Sequence, residues 1–172
     1  MTNEEKLAEE LVKNALYRMD ESTRMILKSL AEISEEELWQ KPNDSLNSIA
    51  NLILHLCGNI TQYVISSLGE KEDLRNRDAE FSAKTPADKK EVLDQLEQTV
   101  DTAKRVIFDT NISQLLKVRS VQGFTFSGVG VIIHAVEHYS YHTGQIAFWV
   151  KQLKNKDLGF YDGVDLKIKN KE

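Results

Sequence analysis

Four long segments of this chain repeat apolar residues at i, i+3 and i+4, and little interrupts them, because 172 residues contain only 2 Pro and 8 Gly. A 3.6-residue period sustained over many turns buries one face of a helix, so the segments must pack against one another. The first runs from Asn3 to Leu30 and aligns Leu7, Leu11, Leu16, Met19, Ile26 and Leu30. Thr2 and Glu5 have capping-box spacing at its start, and Ser34 with Glu37 repeats that signal before a short turn ending near Trp39. Lys41-Pro42-Asn43-Asp44 then breaks the chain. The second long helix is expected from Ser45 or Leu46 to Leu68, stopped by Gly69. Residues 70–84 are highly charged and lack an apolar stripe, which predicts a long exposed connection. Thr85-Pro86 has the pattern of an N-cap with proline at the first helical position, opening a third helix through Val92, Leu96, Val100, Ala103 and Ile107. Loose alternation over Leu115–Val121, then Gly123 and Phe124-Thr125-Phe126, predicts a short hairpin before the last helix. Ser127 caps that helix, which ends near Lys154. The expected fold is all-α, a four-helix bundle with long connections, formed by residues 1–172 as one domain.

Charge and cysteine usage remove several function classes. Lys+Arg 22 against Asp+Glu 27 gives a net charge of −5, with no basic excess to neutralise nucleic-acid phosphates. A single cysteine makes neither an internal disulfide nor a thiolate zinc cage. The acidic amino terminus does not read as a secretory signal, and no apolar run reaches the roughly 18 residues of a membrane span. The expected address is cytoplasmic, without a membrane partner.

The histidines carry the chemistry. His134, His138 and His142 recur at successive turns of the fourth helix, and His55 lies mid-way along the second. Side chains four apart on a helix have Cβ atoms about 5–6 Å apart, close enough for two imidazoles to share one ion. Ile133, Val136, Ile146 and Trp149 flank the stripe, which places it within or beside the buried face. On the second helix Asn51, His55, Asn59 and Gln62 form a matching polar line. Buried polar groups need partners, so two such lines satisfy each other or jointly hold an ion. Any single histidine is more readily a hydrogen-bonded core residue than a ligand; the joint pattern is what points to a metal. Three imidazoles and an open position are the catalytic rather than the structural arrangement, and nitrogen ligands suit Zn, Ni, Cu or Fe over Mg or Ca. Spacing alone leaves open which of the four rings bind.

The segment His138-Tyr-Ser-Tyr-His142-Thr-Gly144-Gln145-Ile146, with Leu52-Ile-Leu-His55-Leu, resembles the DinB-like (damage-inducible) superfamily of metal-binding four-helix bundles, in a branch of largely unknown function. The resemblance spans nearly the whole chain in element order, and its most specific part is His-x-x-x-His before Gly-Gln. It implies that His55, His138 and His142 ligate a divalent transition metal, zinc or nickel foremost, and that His134 is a neighbour of the site, a partner of a ligand or a proton carrier. Many relatives have Arg where this chain has Thr143, so no role of that Arg carries over. Relatives that use low-molecular-weight thiols such as bacillithiol or mycothiol, and a thiol-dependent maleylpyruvate isomerase, imply a thiol S-transferase acting on a small molecule, and a dimer. A metal-dependent hydrolase, a non-enzymatic metal-binding stress protein, and a helical dimerisation module with hydrogen-bonded histidines are the alternatives.

His134-Ala-Val-Glu137-His138 also fits the inverted zinc-peptidase signature, but that reading ignores His55 and His142. Glu137 and His134 are therefore only candidate catalytic groups. Cys57 lies about 200° round the helix from His55, by the 100° step of a helix, and is expected in the core. Tyr139 and Tyr141 are expected to pack. Trp39, Phe124 and Phe126 would line a site mouth only if the connections fold over it.

Overall fold

Thr2, Ser34, Ser48, Asp88 and Asn111 each close a capping box at the head of a helix, so orphan backbone donors there are satisfied locally. The computed structural model describes residues 1–83 and 88–170 of the chain. Helix α1 covers Asn3–Ala31 and α2 Glu35–Trp39. Helix α3, Ile49–Ile60, continues directly into a π-helical stretch, Thr61–Leu68, that ends at Gly69. Helix α4 is Arg77–Ser82, α5 Lys89–Phe108 and α6 Ile112–Leu116. Strands β1, Val118–Val121, and β2, Phe124–Ser127, form the hairpin, and α7 is Gly128–Lys154.

Helix α1 packs on α7 and α5, and α3 packs on α5 and α7, so the long helices close a ring in the order α1–α7–α3–α5. Met19, Ile26 and Leu30, Ile53, Leu56 and Ile60, Val92, Leu96 and Ile107, and Val131, Ala135, Ile146 and Val150 fill its centre. Each large aliphatic side chain so buried stabilises the fold by about 1.5–3 kcal/mol relative to exposure. Buried Tyr139 also bonds Thr23 Oγ1 on α1 at 2.9 Å through its hydroxyl. Buried Cys57 sits in the core, where burial pushes its thiol up to about 12, so it is not a nucleophile. Among the described residues no helix is long and apolar enough to cross a membrane.

The hairpin turns on Gln122 and Gly123 with φ of 51° and 80°, the two left-handed positions of a primed turn whose twist matches the strands. Val121 pairs with Phe124 beside it, and Gln122 Oε1 accepts from the Tyr63 hydroxyl at 3.0 Å, tying the hairpin to the π-helical stretch.

The second long helix starts at Ile49 rather than Ser45 or Leu46, because Ser48 and Asn51 cap each other there. The expected cap at Thr85–Pro86 lies outside the described residues, and α5 is capped by Asp88. The largest departure concerns residues 70–84. Most of the described residues 70–83 are exposed, but Arg75 and Glu80 turn inward, and Asn76 caps the short α4 that carries Glu80. Asn51 Nδ2 fastens α4 by donating to the Glu80 and Ala83 carbonyls at 3.0 and 3.2 Å.

Candidate metal centre

The ring order makes α3 and α7 neighbours, and their contacts run in opposite directions along the chain. His55 meets His138, and Asn59, one turn on, meets His134. Three rings converge: His55, His138 and His142 each offer one nitrogen, and these nitrogens lie within 4.8 Å of one another. Ring centroids are 4.9 Å apart for His55–His138, 5.1 Å for His55–His142 and 4.5 Å for His138–His142.

The nitrogens facing away from the convergence point fix the orientation of two rings. His55 Nδ1 lies 2.9 Å from Glu80 Oε2, and His142 Nδ1 lies 2.7 Å from Gln145 Oε1. A carboxylate and an amide oxygen only accept, so each Nδ1 donates its proton to one of them and each Nε2 keeps the lone pair. Arg75 Nη2, 3.2 Å from His55 Nδ1, lies farther off than the carboxylate and gives its hydrogen bond to Glu80 Oε2. An acceptor behind each imidazole is the usual support of a metal-ligating histidine. His138 lacks one: its Nδ1 is buried and unpartnered among the described residues, so packing and His55 alone hold that ring.

The donor set fits a transition-metal ion. His55 Nε2 and His138 Nε2 are 3.2 Å apart. Two nitrogens at about 2.05 Å from one tetrahedral ion stand about 3.3 Å apart, so this pair is spaced for ligation while His142 has to close in. Burial lowers the pKa of all three rings, against the opposing pull of Glu80 on His55 and Gln145 on His142. For His138 burial, reinforced by the neighbouring histidines, brings it down to about 3. Neutral imidazoles are the form a metal requires.

Glu80 belongs to a buried charge network that the sequence reading missed. The Arg75 side chain is 3% exposed and Glu80 8%, and Arg75 Nε and Nη2 bond the carboxylate at 2.7 and 2.9 Å. Arg75 Nη1 donates to Gln62 Oε1 at 2.8 Å, and Gln62 Nε2 donates to Asp73 Oδ2 at 2.7 Å. Gly58 makes room for this network, since a Cβ there would stand 1.9 Å from Glu80 Oε1. The polar line Asn51–His55–Asn59–Gln62 is thus satisfied largely by the segment that follows it. The one sequence signal for this was Asn76, a good cap, ahead of Phe81, whose ring lies 4.8 Å from that of His55.

His134 falls outside the convergent group. It stacks on Tyr63 at 4.0 Å between centroids, faces Phe126 at 5.9 Å, and has Asn59 Nδ2 at 3.4 Å from its Nε2. Burial lowers its pKa as well, with Glu137 opposing. Glu137 is exposed and lines a groove with Arg18, Glu21 and Ser22 of α1. Tyr141, expected to pack, is 63% exposed.

The lowered histidine values predict an acid-sensitive fold. Unfolded histidines protonate near pH 6.5, whereas folded His138 stays neutral to about 3. Below 6.5 the unfolded state then binds more protons, so stability falls as pH falls. His138 alone should remove about 1–2 kcal/mol from the metal-free protein between pH 7 and 5, and the other three act in the same direction. Urea midpoints across that interval measure it; a flat profile contradicts the assignment of neutral buried rings.

A family described as a protein of unknown function, DUF1572, matches residues 6–161 of the chain. Among curated proteins none matches. Three solved structures superpose on most of the chain, each at 16% identity. A conserved protein from Enterococcus faecalis aligns with TM-score 0.71 over 84% of this chain and 97% of its own. A DinB-like protein from Bacillus cereus aligns with TM-score 0.67 over 85% and 92%, and one from Bacillus subtilis with 0.63 over 86% and 94%. The fold expected from the histidine motif is therefore the fold found.

Proposed function

Because the chain belongs to the DUF1572 family and has the fold of DinB-like proteins, we propose that it is a metal-dependent enzyme, a transferase joining a small thiol to an electrophilic small molecule. His55, His138 and His142 would hold one divalent transition ion, zinc or nickel foremost. Such an ion lowers the pKa of a bound thiol and so supplies thiolate at neutral pH. The observation that carries this reading is the convergence of three imidazole nitrogens within 4.8 Å, with acceptors already behind two of the rings.

The remaining work falls to the chain itself. Glu80, held by Arg75, orients His55, and Gln145 orients His142. His134, whose pKa burial lowers and whose ring centroid is 5.6 Å from that of His138, would take the thiol proton in this reading. The reaction forms a carbon–sulfur bond, and the leaving group departs from the electrophile with the bonding electron pair. A cleft beside His142 gives a second reactant access, which favours an enzyme over a sealed metal store.

Cobalt substitution tests the proposal. Cobalt-loaded protein should develop a near-ultraviolet thiolate-to-metal absorption when titrated with a small thiol such as 2-mercaptoethanol, and His142→Ala should lose it. Cobalt that binds to full occupancy but stays spectroscopically blind to thiol would contradict the transferase reading while leaving the metal site in place.

A further inference from the structure

Between the start of α3 and the end of α7, next to the three rings, the surface opens into a cleft of about 600 Å³. Leu46, Ile49 and Leu52 form one wall, and Tyr141, Phe148 and Trp149 the other. His142 and Gln145 close the end nearest the rings, so one candidate metal ligand is also part of the cleft. The volume lies within the roughly 300–1,000 Å³ typical of small-molecule sites. None of the lining residues is Asp, Glu, Lys or Arg. The groove of equal volume against α1, by contrast, carries Arg18, Glu21 and Glu137.

These features select a ligand class. A charged group placed among apolar walls with no countercharge loses its hydration uncompensated. Aromatic faces from Tyr141, Phe148 and Trp149 favour a flat or branched apolar body. Gln145 Oε1 is committed to His142, whereas its amide N–H groups have no partner among the described residues and can donate to a ligand acceptor.

We propose that this cleft binds an uncharged, mainly apolar small molecule, with a carbonyl-type acceptor directed at Gln145 and its reactive end at His142. This rests on the metal-site reading only for the identity of the reactive end. In the transfer reaction the cleft then holds the electrophile, and a multiply charged thiol has to approach the rings from elsewhere.

The test uses the metal-free full-length chain and the uncharged fluorophore N-phenyl-1-naphthylamine. Saturable binding is expected, with the anionic analogue 1-anilinonaphthalene-8-sulfonate about tenfold weaker. Phe148→Asp and Leu46→Asp, at positions 70% and 50% exposed, place a carboxylate in the walls without disturbing the core. Each should weaken the uncharged probe by about tenfold or more. Metal uptake, measured in parallel, should match wild type in both variants. Probe binding unchanged in both variants, or tighter binding of the anionic analogue, overturns the proposal. If wild type excludes the probe and Phe148→Asp turns a dimer into a monomer, the face joins two copies of the chain and the proposal fails. Probe binding without metal uptake supports the cleft and removes the metal site instead.

Discussion

Replacing Glu80 with Ala should destabilise the fold by about 3–5 kcal/mol, the usual cost of removing one partner from a buried charge pair. The substitution leaves the Arg75 guanidinium buried without its carboxylate, since Arg75 is 3% exposed and spends two nitrogens on Glu80. It also removes the acceptor from His55 Nδ1, freeing the ring to rotate. Metal affinity should fall about 10- to 100-fold, the range seen when the carboxylate behind a ligating histidine is lost. Urea denaturation and metal competition measure the two effects separately. The double substitution Arg75→Met with Glu80→Leu should recover most of the stability and none of the affinity, because matched apolar residues carry no desolvation cost while His55 still lacks its acceptor. A Glu80→Ala protein within 1 kcal/mol of wild type would show that the network is exposed in solution.

The largest effect on binding should come from His138→Ala. His138 Nε2 is 3.2 Å from His55 Nε2 and its ring contacts both other members of the group. Removing it leaves two imidazoles, which hold a divalent ion far more weakly than three. Asn59→Ala is the contrasting case. It deletes the amide beside His134, outside the convergent nitrogens, and should leave occupancy unchanged.

The parts of this molecule that were legible in advance follow short-range rules. Histidines four apart on α7 must share a face, and the apolar residues around them put that face inward. Capping boxes at Thr2 and Ser34, and the hairpin turn before Phe124, are set within a few residues of chain. The inward turn of Arg75 and Glu80 was not legible, because composition reads a charged stretch as solvated and cannot register two opposite charges buried against each other. The unusual winding of Thr61–Leu68 was hidden for a different reason. Val64 and Leu68 are buried there as an α-helix would bury them, so periodicity carries no trace of the wider turn. The cap pair Ser48–Asn51 was missed because Asn, rather than Glu or Gln, completes the box.

His55, His138 and His142 are proposed to grip one ion together. Elemental analysis of protein purified without a histidine tag tests it most directly, on wild type and His138→Ala prepared side by side, with circular dichroism to confirm that both are helical. The expected result is about one divalent transition ion per chain in wild type and almost none in the variant. Equal metal content in the two proteins, or a wild type that cannot be loaded even with excess zinc or nickel, would contradict it.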